Sequence, residues 1–163
     1  GIRDSLRSRA LGDVYKRQPR SMNLETLQDL WKEDCKIDDD LYCEESLKIP
    51  RLHQKYMEYF NTFSLMKKEK DGEYRKLIKE KWLYYKGKAP ATVYKDMPFD
   101  LKLTTKEEIN MFIEADEDIR KVKYKIDYLD QILFFLESVL KQIGVRNFQI
   151  KNAIDWTKWR EGS

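Results

Sequence analysis

The apolar residues in the C-terminal half of the chain follow the strictest repeat in the sequence. Between Phe112 and Ile143 they recur at alternating spacings of three and four residues. The members are Phe112, Ala115, Ile119, Val122, Ile126, Leu129, Leu133, Leu136, Leu140 and Ile143. This spacing places them all on one stripe of an α-helix and is typical of coiled-coil packing. It predicts one long helix that begins at a Thr105–Glu108 capping box and ends at Gly144.

A second apolar stripe lies beside the first on this predicted helix. It consists of Tyr124, Tyr128, Ile132, Phe135 and Val139. Two adjacent stripes cover more surface than one partner helix can bury. We expect one stripe to contact the chain's own second long helix and the other to contact a neighbouring subunit. The residues predicted to carry the oligomeric contact are Ile126, Leu129, Leu133, Leu136, Leu140 and Ile143.

The rest of the chain also has helical spacing, and its six glycines and four prolines are too few for a turn-rich β-sandwich. A short first helix is expected after Asn23 or Ser21, ending at the acidic turn 38–40. A long helix with Pro50 in its first turn comes next, passes through Gly72 and stops at Gly87 and Pro90. Residues 88–103 are predicted to be a loop, and Asn147 is predicted to begin a last short helix. The fold class is therefore all-α, with two long and two short helices.

Residues 1–21 differ in character from the remainder of the chain. They carry six basic and two acidic residues and have no helical apolar period. We interpret them as a non-native or disordered leader before a start at Met22, with a transit peptide as the alternative. Residues 22–163 are then one all-helical domain. Cys35 and Cys43 lack the spacing of a zinc site or a disulfide framework, and the absence of a signal sequence favours the cytosol.

The sequence contains little that predicts a catalytic site. The single histidine, His53, lies within a helical pattern, and Ala89 follows Gly87-Lys88 where a phosphate-binding loop needs Ser or Thr. We expect no catalytic residue, cofactor or metal, and hence no enzyme. A small nuclease that uses Asp116 and Asp118 is a remote alternative.

Charge is segregated along the body of the chain. Residues 67–88 carry nine basic and four acidic residues, whereas residues 22–46 and 96–118 have net charges of −7 and −6. Aromatic residues alternate with the bases in the basic segment, namely Tyr74, Trp82, Tyr84 and Tyr85. Cations that bind phosphates and rings that stack on bases are the two requirements of single-strand binding without sequence specificity. A solvated basic face over buried aromatic residues is the alternative interpretation.

Several short stretches, taken in order, resemble the phage recombination mediator family. They are residues 22–30, 37–38, 78–88, 115–118 and 148–151. The DNA-binding motif of that family places its basic residues on Lys79, Lys81 and Lys88 and its tyrosine pair on Tyr84 and Tyr85. Lysine replaces arginine at positions 81 and 88, and Glu80 adds a negative charge between two lysines. The predicted sites of single-stranded DNA contact are Arg75, Lys76, Lys79, Lys81, Tyr84, Tyr85, Lys86 and Lys88.

The resemblance implies a function without bond chemistry. It implies a ring-like homo-oligomer, a hexamer or heptamer, that binds single-stranded DNA coated by the phage single-strand-binding protein. The assembly would load a RecA-like phage recombinase there, in the cytoplasm of the infected bacterial host and without a membrane. Residues 22–103 would form the DNA-binding part and residues 104–163 the oligomerisation part. The alternative is a coiled-coil scaffold protein that does not bind DNA.

Overall fold

The computed structural model describes residues 22–162, which form five α-helices and no strand. We number the helices α1 (Leu24–Asp34), α2 (Tyr42–Tyr85), α3 (Ala91–Asp96), α4 (Lys106–Ala115) and α5 (Glu117–Glu161). The predicted all-α class is confirmed. The predicted leader 1–21 lies outside the described residues. Within residues 22–162, none of the helices combines the length and the apolar content that a membrane span requires.

The first two helices are separated by the acidic turn 38–40. α1 begins as predicted at Asn23, whose side chain accepts a hydrogen bond from the Thr26 amide at 2.8 Å. It ends at Asp34, before the turn that was expected to terminate it. In that turn the Asp40 amide donates to the Asp38 side chain at 3.0 Å, a local bond that replaces helical bonding.

α2 begins at Tyr42, so the prediction that Pro50 lies in its first turn was wrong. Proline inside a helix removes one backbone hydrogen bond, and another interaction must stabilise the turns before it. Glu45 provides one, because its buried carboxylate accepts a hydrogen bond from Arg146 of α5 at 3.1 Å. As predicted, the helix passes through Gly72 without a break.

The end of α2 at Gly87 is a Schellman motif. Gly87 has a φ of 78°, which glycine adopts without strain. Its amide donates to the Tyr84 carbonyl at 3.1 Å, and the Lys88 amide donates to the Leu83 carbonyl at 2.8 Å. The predicted stop at Gly87 is therefore confirmed.

The segment 88–103 was predicted to be a loop, but it contains the short helix α3. Tyr94 of α3 fixes it to the end of α2: its hydroxyl donates to the Tyr84 carbonyl at 2.7 Å and accepts from the Ala89 amide at 3.2 Å. A tertiary contact thus stabilises a helix that its own six residues would not sustain.

The long C-terminal helix differs from the prediction at both ends. The Thr105–Glu108 capping box is confirmed, but the helix it begins, α4, ends at Ala115. Asp116 adopts an extended conformation and its side chain accepts the amides of Asp118 and Ile119, so it caps the start of α5. The predicted end at Gly144 and new start at Asn147 were wrong, since α5 continues to Glu161.

The reason α5 continues is visible in its buried residues. Within the compact unit to which residues 22–63 and 131–162 belong, they lie on one line with spacings of four and three. The line is Ile132, Leu136, Val139, Ile143, Arg146 and Ile150. It takes members from both predicted stripes and runs past Gly144 into the C-terminal turns. On α1 and α2 of this unit, Trp31 and Tyr56 meet edge to face at 5.4 Å.

The second compact unit comprises Ser64–Asp130. Its core contains Ile109 and Ile113 of α4 and Ile119 of α5. The partly buried residues packed against them are Tyr74, Leu77, Ile78, Trp82, Tyr85 and Leu103. α2 and α5 contribute residues to both units. The division into a DNA-binding part 22–103 and an oligomerisation part 104–163 stays a prediction.

Candidate nucleic-acid interface

The exposed side of α2 in the Ser64–Asp130 unit carries a line of cations. Lys68, Arg75 and Lys79 are exposed, and Lys86 comes just beyond the end of the helix. At 3.6 residues per turn these spacings of seven and four place them within about 40° of one another. We call these four residues the basic line. Among the described residues, none of the four forms an ion pair with a carboxylate.

The acids of the segment lie at different angles from the basic line. Glu69, Glu73 and Glu80 lie about 80° or more around the helix from its members. Glu80 therefore does not separate two cations of the line, although it separates them in sequence. Asp71 lies beside the line, three residues after Lys68 and four before Arg75, but among the described residues it forms no ion pair with either. Lys76 is exposed and lies on the helix between the basic line and the three glutamates. Lys88 is exposed just after the Schellman turn.

Lys81 is placed differently from the other predicted DNA contacts. It follows Tyr74 and Ile78 by seven and three residues, so it lies on the core face of α2. Its ammonium bonds to the carboxylates of Asp116 and Asp118 at 3.0 and 2.8 Å. Only 12% of the Lys81 side chain and 6% of that of Asp116 is exposed. Lys79 and Lys81 thus lie on opposite sides of the helix.

The ionisation of this pair depends on its surroundings. Desolvation opposes the charge on Lys81, but the hydrogen bonds to Asp118 and Asp116 outweigh it and raise its pKa. Desolvation likewise opposes the charge on Asp116, and hydrogen bonds from Tyr85, Lys81 and the Ile119 amide outweigh it and lower its pKa. Both groups are therefore charged at neutral pH.

The two motif tyrosines are both half-buried, and Tyr85 packs against the core of this unit. The Tyr85 hydroxyl donates to Asp116 at 2.6 Å, and burial together with this bond raises the pKa of Tyr85. The Tyr84 hydroxyl donates to the Met97 carbonyl at 3.0 Å, and its ring stacks on Tyr94 with centroids 5.4 Å apart. Phe99 contacts both rings. Neither ring is presented beside the basic line as a free stacking surface.

One aromatic residue does adjoin the basic line. The Lys86 ammonium lies 4.3 Å above the centroid of the Trp82 ring, a cation–π contact that holds it at the end of the line. Of the eight predicted contacts, the structure therefore places Arg75, Lys79 and Lys86 together and exposed. It places Lys81 and Tyr85 on the core face of α2, and Tyr84 in contact with Tyr94 and Phe99.

Comparison with known proteins identifies the family to which this chain belongs. Residues 30–163 match the family described as recombination, repair and ssDNA binding protein UvsY. The chain belongs to the UvsY family. The resemblance drawn from the short sequence stretches is thereby confirmed.

A curated relative and solved structures agree with this assignment. The UvsY recombination protein of Enterobacteria phage T4 is 28% identical over 144 residues, which are 86% of this chain and 99% of the relative. Two crystal structures of the T4 recombination mediator protein UvsY, in different lattices, each have a TM-score of 0.76 and 24% identity. The first covers 85% of this chain and 99% of the T4 chain, and the second 86% and 98%. The fold described above is thus that of T4 UvsY.

The residues predicted for oligomerisation divide into two groups in this UvsY-family chain. Leu129, Leu136 and Ile143 are buried within the chain itself. Ile126, Leu133 and Leu140 are half-buried. The oligomeric role of this set stays a prediction.

Sequence reasoning missed two features of this candidate interface. The heptad spacing of Lys68 from Arg75 would have added Lys68 to the basic line. The aromatic cluster formed by Tyr94, Phe99 and Phe112 around the tyrosine pair had no local signal, because its members come from three separate segments.

Proposed function

We propose that this chain is a recombination mediator without enzymatic activity that binds single-stranded DNA through the basic line of α2. The observation that carries this proposal is the set of four aligned cations with no ion-pair partner within residues 22–162, in a chain of the UvsY family. Surface cations of this kind bind phosphates by displacing condensed counterions, so binding should weaken steeply with salt.

The same geometry argues against the nuclease alternative. A nuclease would need Asp116 and Asp118 as metal ligands. Asp116 instead accepts hydrogen bonds from Tyr85, Lys81 and two backbone amides, and Asp118 is paired with Lys81. These carboxylates cap α5 and fix Lys81, which accounts for their position without chemistry.

We further propose a homo-oligomer, a ring of six or seven subunits. α5 carries an exposed apolar stripe in the residues from Gln131 onward, comprising Phe134, Val145, Phe148, Trp156 and Trp159. It lies about 160° around the helix from the buried line. An exposed apolar stripe opposite the core is typical of a subunit contact. Joining several basic lines in one assembly would raise the effective concentration of weak sites.

In this proposal the assembly binds DNA coated by the phage single-strand-binding protein and loads a RecA-like recombinase there, in the cytoplasm of the infected host. The crystallised T4 relative is described as a recombination mediator, which supports this role. A coated, labelled oligonucleotide tests it: addition of the chain should accelerate recombinase filament formation on the coated strand. No acceleration would leave a DNA-binding protein without mediator function.

DNA binding itself is tested by anisotropy of fluorescein-labelled oligo-dT over a salt series. The double variant Arg75→Ala/Lys79→Ala removes two of the four cations and should lower the affinity for oligo-dT. The slope of the logarithm of the binding constant against the logarithm of the salt concentration should become less steep by roughly 0.7 per cation removed. Lys32→Ala is the matched control, because it removes an exposed lysine from α1 in the other unit. Equal losses in both variants, or no binding by the parent chain at low salt, would contradict the proposal.

Assembly is tested by light scattering. Phe134→Asp and Phe148→Asp change exposed residues and should give smaller but folded species. Leu136→Asp is the contrast, since its side chain is fully buried and a charge there should unfold the chain. An unchanged mass in the Phe134 and Phe148 variants would place the subunit contact elsewhere.

A further inference from the structure

The beginning of α5 carries a second combination of cations and an exposed ring. Residues 120–125 read Arg-Lys-Val-Lys-Tyr-Lys, with four positive charges and no acid. Tyr124 within this run is 73% exposed. The run lies in the Ser64–Asp130 unit, as the basic line does.

The helical geometry places the ring and two of the cations together. Arg120 and Lys121 precede Tyr124 by four and three residues, so all three share one face of α5. Ile119, Val122 and Ile126 occupy the opposite, core-facing side, where Ile119 is fully buried. Among the described residues, neither Arg120 nor Lys121 forms an ion pair.

We propose that this face is a second contact for single-stranded DNA, in which the Tyr124 ring stacks on a base while Arg120 and Lys121 bind the adjacent phosphates. The inference rests on the proposed function and adds an accessible aromatic ring, which the basic line lacks. Stacking needs an accessible ring face, but the Tyr84 ring stacks on Tyr94 and the Tyr85 ring packs against the core. Tyr124 is an exposed ring within a run of cations.

Arg120 and Lys121, which form no ion pair among the described residues, argue for a phosphate-bearing partner here rather than an apolar partner surface. Burial of unpaired cations against an apolar surface carries a desolvation cost that phosphates offset. The ring lies in an open groove of about 760 Å³, which Glu114, Glu117 and Asp127 also line. These acids offset three of the four positive charges of the run, so this contact should depend less on salt than the basic line does.

The test separates stacking from phosphate binding. Anisotropy is measured with labelled oligo-dT and with an abasic oligonucleotide of the same length and charge. Tyr124→Ala should weaken binding of oligo-dT by about fivefold to a hundredfold, the range measured for loss of one stacked base, and should leave binding of the abasic strand unchanged. Tyr124→Phe retains the ring and should bind as the parent chain does.

The matched control is Met111→Ala, which changes an exposed apolar residue of α4 in the same unit and should bind both strands normally. Far-UV circular dichroism and light scattering accompany each variant. Unchanged binding of oligo-dT by Tyr124→Ala would overturn the proposal, as would a change in its oligomeric mass, which would make this face a contact between copies of the chain. If Arg75→Ala/Lys79→Ala weakens binding while Tyr124→Ala does not, only this inference fails. If the parent chain binds neither strand, the proposed function fails with it.

Discussion

Two lysines that are neighbours in the sequence give the sharpest test of this structure. Lys79 and Lys81 lie two positions apart on α2, but Lys79 is exposed whereas Lys81 bonds to Asp116 and Asp118. Replacement of each by methionine removes the same charge and keeps a similar unbranched side chain. We expect Lys81→Met to lower stability and Lys79→Met to lower DNA affinity.

The magnitude for Lys81→Met depends on burial. Loss of one partner of a fully buried ion pair costs about 3–5 kcal/mol. Asp116 retains the Tyr85 hydroxyl and two backbone amides, which reduces the penalty. The contact with Asp118 adds less than about 1 kcal/mol, because 56% of the Asp118 side chain is exposed. We therefore expect a loss of about 2–3 kcal/mol in the free energy of unfolding.

Urea denaturation monitored by circular dichroism measures this loss at a fixed subunit concentration, because association stabilises the folded chain. If the free energy of unfolding falls by about 2 kcal/mol per molar urea, the urea concentration at the unfolding midpoint should fall by roughly 1 M for Lys81→Met. It should not change measurably for Lys79→Met. Under conditions in which both variants are folded, only Lys79→Met should reduce the salt dependence of oligo-dT binding.

The opposite pattern would refute the assignment of these two lysines. A Lys81→Met protein as stable as its parent, with DNA affinity reduced as much as in Lys79→Met, would show that Lys81 binds phosphate. The pair with Asp116 would then contribute nothing measurable to folding.

Three further outcomes are expected from single contacts. Stability should fall in acid, because the pKa of Asp116 is lowered in the folded chain: its stabilising contribution is complete above about pH 4 and is lost as the pH falls through its pKa in the folded state. The pKa of Lys81 is raised in the folded chain, so its stabilising contribution is lost as the pH rises above about 10. Urea denaturation at a series of pH values measures both effects. Gly72→Ala should stabilise the chain by about 0.5–1 kcal/mol in the same assay, since the added methyl group meets no atom within 4 Å. Arg146→Met should cost about 3–5 kcal/mol, because the Cys35 and Lys36 carbonyls lose their donor and Glu45, which keeps Lys48 at 2.9 Å, loses its buried partner.

Local sequence signals predicted the parts of the fold that depend on local interactions. The caps at Asn23 and Thr105 and the stop at Gly87 require only side chains and backbone within a few residues, and all three are present. The buried line of α5, in contrast, depends on partners from elsewhere in the chain. The heptad period was visible in the sequence, but the buried line alternates between members of the two predicted stripes, so neither stripe alone predicts it.

The failures near Pro50 and Gly144 have a common physical cause. Each of these residues disfavours a helix locally, yet the helix continues through both. Arg146 of α5 lies two residues beyond Gly144 and bonds to Glu45 of α2 and to the carbonyls of Cys35 and Lys36. Burial of Ile143, Arg146 and Ile150 on either side of Gly144 outweighs a local penalty of about 1 kcal/mol there. Sequence spacing cannot reveal the partners of Arg146, which lie about a hundred residues earlier.

The family resemblance itself has a structural component that the linear motif conceals. Stretch 78–88 supplies Lys81 and Tyr85, and stretch 115–118 supplies Asp116 and Asp118, which are their partners. The ammonium of Lys81 can bond to two separate carboxylates, whereas the planar fork of arginine suits one carboxylate in a bidentate pair. Lysine at position 81 is thus compatible with this bridge. Two of the stretches that carry the family resemblance therefore form one folding contact, and the proposed DNA-binding residues lie on the other side of the same helix.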